Sequence, residues 1–537
     1  MNHGAALERL RALDRERTHL ARAAALLQWD EETCLPPAGV EDRAEQLAVL
    51  EGLAHEKLTS PRLGGLLEEL EAAEPDGPGP DGLDAGAFPV RDFLRILRRD
   101  YDRAVKLPAE YVRETARAGA LSQAAWVRAR NNNDFAAFAP HLERMIDLAR
   151  QKALYLGWDP AAVYDGLLDL YEPGVASADL AALFGPLGER LSALLRRIAA
   201  RPRPDAAFSR RPCGVEKQDA LCREVLTALG FDFNRGRLDL SAHPFTTTLG
   251  FNDVRITTRY DPEDPLSGLF SVIHEGGHAF YELALDPVLR SSCLAEGTSM
   301  GIHESQSRLW ENVIGRSRAF WRPWFPRFRD YVSLPEGTAF EDFYRALNAV
   351  VPGPIRVEAD EVSYSLHIIL RFDLERRLFD GTLPAGEVPA AWSAAMKKYL
   401  DIEPSGDAEG ALQDVHWSMG AFGYFPSYAL GNLYGLEFWE RLCRENPGTE
   451  AALERRDYGG IHRWLGEHIH RWGRRADPAE LLGERAAGES GAGVDGGKNS
   501  GAGGNNGGNG GASAKPRLRA GPFLRYIETK YTELYEL

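Results

Sequence analysis

Cationic charge, cysteine and long apolar runs are all scarce in this 537-residue chain. Lysine and arginine number 63 against 79 aspartates and glutamates, for a net charge of -16. Nucleic acid and anionic membrane attract positive potential, so neither is expected as a general partner. The five cysteines, Cys34, Cys213, Cys222, Cys293 and Cys443, are odd in number, far apart and free of any CxxC pair. A disulfide framework and a thiolate zinc site are therefore not expected, and the compartment reads as reducing. No stretch approaches the ~18 uninterrupted apolar residues of a membrane span. The N-terminus lacks the basic-then-apolar pattern of a secretory signal, which leads to an expected cytoplasmic location.

What the chain does hold is helical periodicity. Segments such as "LERLRALDRERTHLARAAALL" and "FAPHLERMIDLARQKALYLG" repeat apolar residues at helical spacing. The fold class expected is mainly α. One region differs: His243 to Tyr260, "HPFTTTLGFNDVRITTRY", has two Thr/Val/Ile-rich segments around "GFND" and predicts a hairpin, hence a small sheet. The chain reads as one unit over 1–537. N-terminal helices occupy 1–72, a Pro/Gly loop 73–86, the body 87–487 with its chemistry between 243 and 428, a glycine-rich flexible insertion 488–515 and a terminal helix 516–537.

"SVIHEGGHAFYE", Ser271 to Glu282, carries the chemistry. Residues four apart share a helix face, so His274 and His278 can present imidazoles to one ion. Glu275, about 100° further round, suits a general base beside metal-bound water. Gly276 and Gly277 each cost a helix about 1 kcal/mol relative to alanine, yet the flanking periodicity keeps the segment helical. A catalytic zinc takes a third protein ligand. The HExxHxxGxxH continuation is absent, with Tyr281 and Ala284 in its places, so the donor lies downstream, and spacing leaves Glu296, His303 and Glu304 open. "IHRWLGEHIHRW" holds three more histidines but no completing carboxylate or cysteine pattern, and is read as a polar helix face.

"HPF" (243–245), "DVRIT" (253–257), "HEGGH" (274–278), "HESQ" (303–306), "IRVEAD" (355–360) and "GALQDVHW" (410–417) resemble, in order, the signatures of the carboxypeptidase Taq family. The likeness extends to "LLQWDEETCLPP" near the N-terminus and "FLRYIETKYTELYEL" at the end. It implies a large helical gluzincin-type body with a deep substrate groove, zinc at its base and the small sheet beside the zinc helix. By the same resemblance, Glu304 is the third ligand beside His274 and His278, cobalt can replace zinc, and the working form is a homodimer.

The implied activity is a broad-specificity carboxypeptidase acting on peptide substrates through zinc-activated water, with Glu275 as base. His416 and Tyr424 are the candidates for stabilising the oxyanion, as in related gluzincins, with Tyr428 close behind. A free C-terminal carboxylate calls for arginine. Arg356 leads; an ion pair with Glu358 or Asp360 is its structural alternative. Arg255 is second, and bracing an acidic neighbour is its alternative. An oligopeptidase of the same chemistry and a non-catalytic, zinc-stabilised peptide-binding protein are the competing readings. Gly277 is expected where a neighbouring segment approaches closely, whereas Gly276 is expected to be replaceable by alanine with a gain in stability.

Overall fold

Helical periodicity is realised along nearly all of the chain in a computed structural model that describes residues 3–73, 88–205, 211–483 and 518–537. The loop expected at 73–86, apart from its first residue, and the insertion expected at 488–515 lie outside the described residues. One extended core unites helices from both halves of the chain. A smaller core joins Leu7, Leu10, Leu63, Leu67 and Phe93 of the N-terminal helices to Leu289 and Leu294. The terminal helix Gly521–Tyr535 buries Phe523, Ile527 and Tyr531, a four-residue repeat that docks one face. No helix among the described residues is long and apolar enough to cross a membrane.

Among the described residues there is one sheet, of three strands, β1 (Gly236–Leu240), β2 (Thr246–Gly250) and β3 (Asp253–Thr258), in the order β1-β3-β2. The expected hairpin is β2 with β3, antiparallel, pairing Thr246 with Ile256 and Thr247 with Arg255. Strand β1 adds in parallel on the far side of β3. Side chains alternate across a sheet, so Thr246 and Thr248 share one face of β2 while Thr247 lies with Arg255 on the other.

The HEGGH segment lies within the helix Pro265–Leu283, entered through a first-turn proline and capped by Asp264, which accepts from the Ser267 N–H at 3.3 Å. The HESQ segment lies in the helix Met300–Arg308, capped by Ser299, and continues as one widened π turn over Leu309–Ile314. These helices cross at Gly277, where a Cβ would stand 2.7 Å from both the Gln306 carbonyl oxygen and Ser307 Cα. A third helix, Pro426–Glu445, presses on the HESQ helix from another side. A Cβ at Gly431 would meet Glu304 Cγ at 2.5 Å, and one at Gly435 the Ser305 oxygen at 3.0 Å. Glycine at the crossings lets the helices close on Glu304.

Candidate active site

Crossing at Gly277 brings His274, His278 and Glu304 together, with one ligand atom from each lying within 4.8 Å of the others. Glu304 Oε2 is 3.7 Å from His274 Nε2 and 3.5 Å from His278 Nε2. The outer nitrogens fix the tautomers. His274 Nδ1–H donates to Glu311 Oε2 at 2.7 Å. His303 Nε2 faces Glu282 Oε1 at 2.9 Å, so its Nδ1 is left as the acceptor for the His278 Nδ1–H at 2.6 Å. Both Nε2 atoms are therefore turned toward Glu304. Arg308 Nε donates to Glu304 Oε1 at 2.7 Å, which leaves Oε2 facing the histidines.

The charge balance matches this aim. Glu275, Glu282, Glu304 and Glu311 gather four acidic side chains around the one guanidinium of Arg308, an acidic excess that a cation would offset. Burial opposes ionisation of Glu304, yet Arg308 and His274 outweigh it and hold the carboxyl far below its usual range. At His274, burial is outweighed by Glu304 and Glu311, which lift the imidazole to about 9. Oxygen from one carboxylate and nitrogen from two imidazoles is a donor set that zinc accepts. Glu275 is buried beside this set, and Thr246 Oγ1 of β2 stands 2.6 Å from its Oε2 and 3.0 Å from its carbonyl oxygen. Thr248, on the same face, donates to Glu282 Oε2 at 3.1 Å.

A second cluster faces the first. Arg308 lies 4.1 Å over the ring of Tyr364, whose hydroxyl is 3.4 Å from Arg356 NH1. Arg356 donates through Nε and NH2 to Asp414 Oδ1 at 3.0 and 2.8 Å, and Arg371 grips Oδ2 at 2.7 and 2.5 Å. Two guanidiniums thus share the one carboxylate of Asp414. The Arg356 guanidinium also lies 5.0 Å from the Tyr428 ring centre. His416 Nε2 is 3.2 Å from the Tyr428 hydroxyl, and the Tyr424 and Tyr428 rings meet edge to face at 5.2 Å. Tyr428 stands one turn before Gly431, hence on the face that packs against Glu304. Burial, partly offset by Asp414, lowers His416 to about 4, so its imidazole is neutral at physiological pH.

A sequence profile described as the carboxypeptidase Taq (M32) metallopeptidase matches residues 9–492. The chain belongs to that family. It is 39% identical over 544 aligned residues to thermostable carboxypeptidase 1 of Thermus thermophilus, covering 100% of both chains. Against carboxypeptidase 1 of Bacillus subtilis the figure is 38% over 474 residues, 88% of this chain and 92% of that one. The crystal structure of the M32 carboxypeptidase from Deinococcus radiodurans superposes with a TM-score of 0.89 at 37% identity, over 99% of this chain and 100% of the other. The protein is thus a metallocarboxypeptidase with the mainly helical M32 fold.

Within this M32 carboxypeptidase the structure gathers His274, His278, Glu304 and Glu275 at one point and His416, Tyr424, Tyr428 and Arg356 beside it. The other two third-ligand candidates point elsewhere: Glu296 is exposed and pairs with Arg474 at 3.6 Å, and His303 is spent on His278 and Glu282. Arg255 is not brought to the site. It lies across the sheet from Thr246, chelates Asp253 at 2.9 and 3.0 Å, and lies 4.4 Å from the Trp29 ring centre, which is the bracing role. Arg356 does form an ion pair, but with Asp414. Asp360 instead accepts from the backbone of Val351, Val362 and Ser363.

Glu282, Arg308, Glu311, Tyr364 and Thr246 are site residues that the sequence reading missed. Glu304, Arg308 and Glu311 follow one another at i, i+4 and i+7, a one-face charge pattern that could have found two of them. Glu172 was missed as well. Fully buried, its carboxylate accepts from the Gly301 N–H and, at 3.1 Å, from Ser299 Oγ, and so holds the start of the HESQ helix.

Proposed function

We propose that the metal is zinc, with cobalt able to replace it, and that the enzyme removes C-terminal residues from peptides with broad specificity. When bound by His274, His278 and Glu304, the ion supplies the Lewis acidity that makes a water a competent nucleophile near neutral pH and polarises the scissile carbonyl. Glu275 is assigned as the base. Thr246 fixes its carboxylate beside the donor set, where it takes a proton from the attacking water and returns it to the leaving amine. His416 and Tyr424 donate to the carbonyl oxygen as negative charge builds there, with Tyr428 holding His416. Glu311 and the pair His303–Glu282 keep both imidazoles aimed.

One observation carries the exopeptidase reading over the oligopeptidase one: the paired guanidiniums of Arg356 and Arg371, which share Asp414 beside the donor set. A substrate's terminal carboxylate is the charge that fits them. The edge position of β2 suits an extended peptide held by main-chain pairing, which reads little sequence and accords with broad specificity. A cytoplasmic homodimer acting as one catalytic unit is the proposed working form, the dimer following from the family resemblance. The test compares short peptides with their C-terminally amidated counterparts, read by mass. Amidation should lower kcat/KM by about a hundredfold or more, the loss expected when a buried charge is left unpaired. Equal cleavage of both would establish the oligopeptidase.

A further inference from the structure

The segment from Asp414 to Tyr428 carries His416 and Tyr424, and one helix face holds it from behind. Arg371 and Glu375 stand four apart on the helix Tyr364–Phe379, both fully buried. Arg371 grips the start of the segment through Asp414. Glu375 grips its middle. Its Oε1 accepts from Trp417 Nε1–H at 2.7 Å, and its Oε2 from the Gly423 N–H at 2.9 Å and the Tyr164 hydroxyl at 2.8 Å. Trp417 directly follows His416 and Gly423 directly precedes Tyr424, so the two anchor points bracket the two side chains.

All three partners of Glu375 are uncharged. A carboxylate buried among neutral donors is costly to desolvate, and an apolar residue of similar size could fill the space at less cost. Burial pushes its carboxyl up to about 7 in spite of the three donors. The segment cannot relax on the opposite side either. Gly423 has φ +80°, and a Cβ there would lie 2.7 Å from the Leu167 carbonyl carbon. Between that wall and the carboxylate, the turn has one position.

We propose that Glu375 is a positioning residue for the hydrolytic step: by tying Trp417 and Gly423 to the helix it fixes the aim of His416 and Tyr424, a role that rests on the oxyanion reading of those two residues. A group that acts on the transition state through others should move kcat and leave substrate and metal binding alone.

In Glu375→Gln the amide must turn its NH2 toward one of the donors. Measured on the metal-loaded enzyme, kcat should fall about tenfold or more while KM and bound metal change less than about twofold. Adding Trp417→Phe removes an anchor that Glu375→Gln has already loosened, so the double variant should fall little below the weaker of the two single variants in kcat. On a His416→Gln background, Glu375→Gln should cost less than it does alone, because the two act as one unit. Equal falls in kcat, KM competence and metal content, with further loss on adding Trp417→Phe, would mean plain destabilisation and overturn the proposal.

The two readings fail separately. Wild-type kcat in both His416→Gln and Tyr424→Phe would sink the oxyanion assignment. Lowered kcat in those variants with wild-type kcat in Glu375→Gln would leave that assignment standing and sink the role of Glu375. If Glu375→Gln yields no folded protein, Trp417→Phe alone decides, since it keeps the ring and deletes one anchor. A fall in kcat at constant KM supports the proposal, and unchanged kcat refutes it.

Discussion

Two stretches of this chain hold three histidines each, and only one makes a metal site. In the first, His274 and His303 each rest on a carboxylate, and His303 in turn holds His278. In the second, "IHRWLGEHIHRW", His462 donates to the Leu229 carbonyl at 2.6 Å and stacks on Trp310 at 4.9 Å. His468 stacks on Trp464 at 4.6 Å. His470 lies beyond the helix Gly459–His468, fully buried, donating to Gln306 Oε1 at 2.8 Å and stacking on Tyr281. The polar helix face expected from the sequence holds for His468, which pairs with Arg441 and Glu445, whereas His462 and His470 are packed, structural histidines. Among the described residues no other group of histidine, cysteine and acidic donors converges as the first does. What separates the stretches is the partner on the outer nitrogen. A carboxylate there makes the imidazole a better donor and aims it; in the second stretch a carbonyl holds His462, an amide holds His470, and His468 sits between Arg441 and Glu445, so the three rings do not converge.

The largest effect should come from breaking the first stretch. Glu304→Ala should abolish stoichiometric metal, measured by elemental analysis, and lower peptide hydrolysis by at least about a thousandfold. Full metal content in that variant would remove Glu304 from the donor set. Gly277→Ala should come next. Its Cβ would lie 2.7 Å from two backbone atoms of the HESQ helix, so the helices must part and the histidines lose their registration with Glu304. Metal affinity and kcat should both fall by about ten- to a hundredfold.

Breaking the second stretch should touch stability alone. His470→Leu leaves Gln306 Oε1 buried without its donor and should cost about 1–3 kcal/mol in denaturant unfolding, with metal content and kcat unchanged. Its pH dependence has a definite sign. Burial holds His470 well below the ordinary histidine value, and its neighbours His462 and His303 push the same way. Below about pH 6.5 the unfolded chain takes up a proton that the folded chain refuses, so stability falls with pH there. The variant lacks this contribution, and the stability gap between it and the wild type should narrow from pH 7 to pH 5. A gap that widens would show that His470 is charged in the folded state.

The same contrast explains what was legible in the sequence. The HEGGH helix, the hairpin and the terminal helix follow from local periodicity, and the structure contains all three. Strand β1 was not read, because "GRLDL" gains its meaning only by pairing in parallel with β3. Glu304 could not be chosen over Glu296 and His303 by spacing, since what excludes them is where Arg474 and Glu282 sit. Arg356 has acids two and four residues away, yet its partner Asp414 is 58 residues distant. Local rules find elements and short motifs. The groups that aim the ligands come from helix crossings, which single-sequence patterns encode only where the charges fall on one face, as with Glu304, Arg308 and Glu311.

Gly276 gives the smallest and most discriminating test, because it shares a helix and a motif with Gly277 and differs only in its neighbour. A Cβ at Gly276 would meet Leu226 Cδ2 at 3.1 Å. The expectation of a simple gain in stability therefore needs correction: the position is buried, and alanine must push a methyl that is itself fully buried. Alanine gains about 1 kcal/mol of helix propensity. Shifting Leu226 by a few tenths of an ångström in a close-packed core offsets a good part of that. Gly276→Ala should thus change unfolding free energy by less than about 1 kcal/mol in either direction, with metal content and kcat intact, because the strain falls on a side chain rather than on the ligand-bearing backbone. If Gly276→Ala instead loses metal as Gly277→Ala does, displacement anywhere along the HEGGH helix reaches the histidines, and the close approach to Gln306 is not what makes Gly277 special.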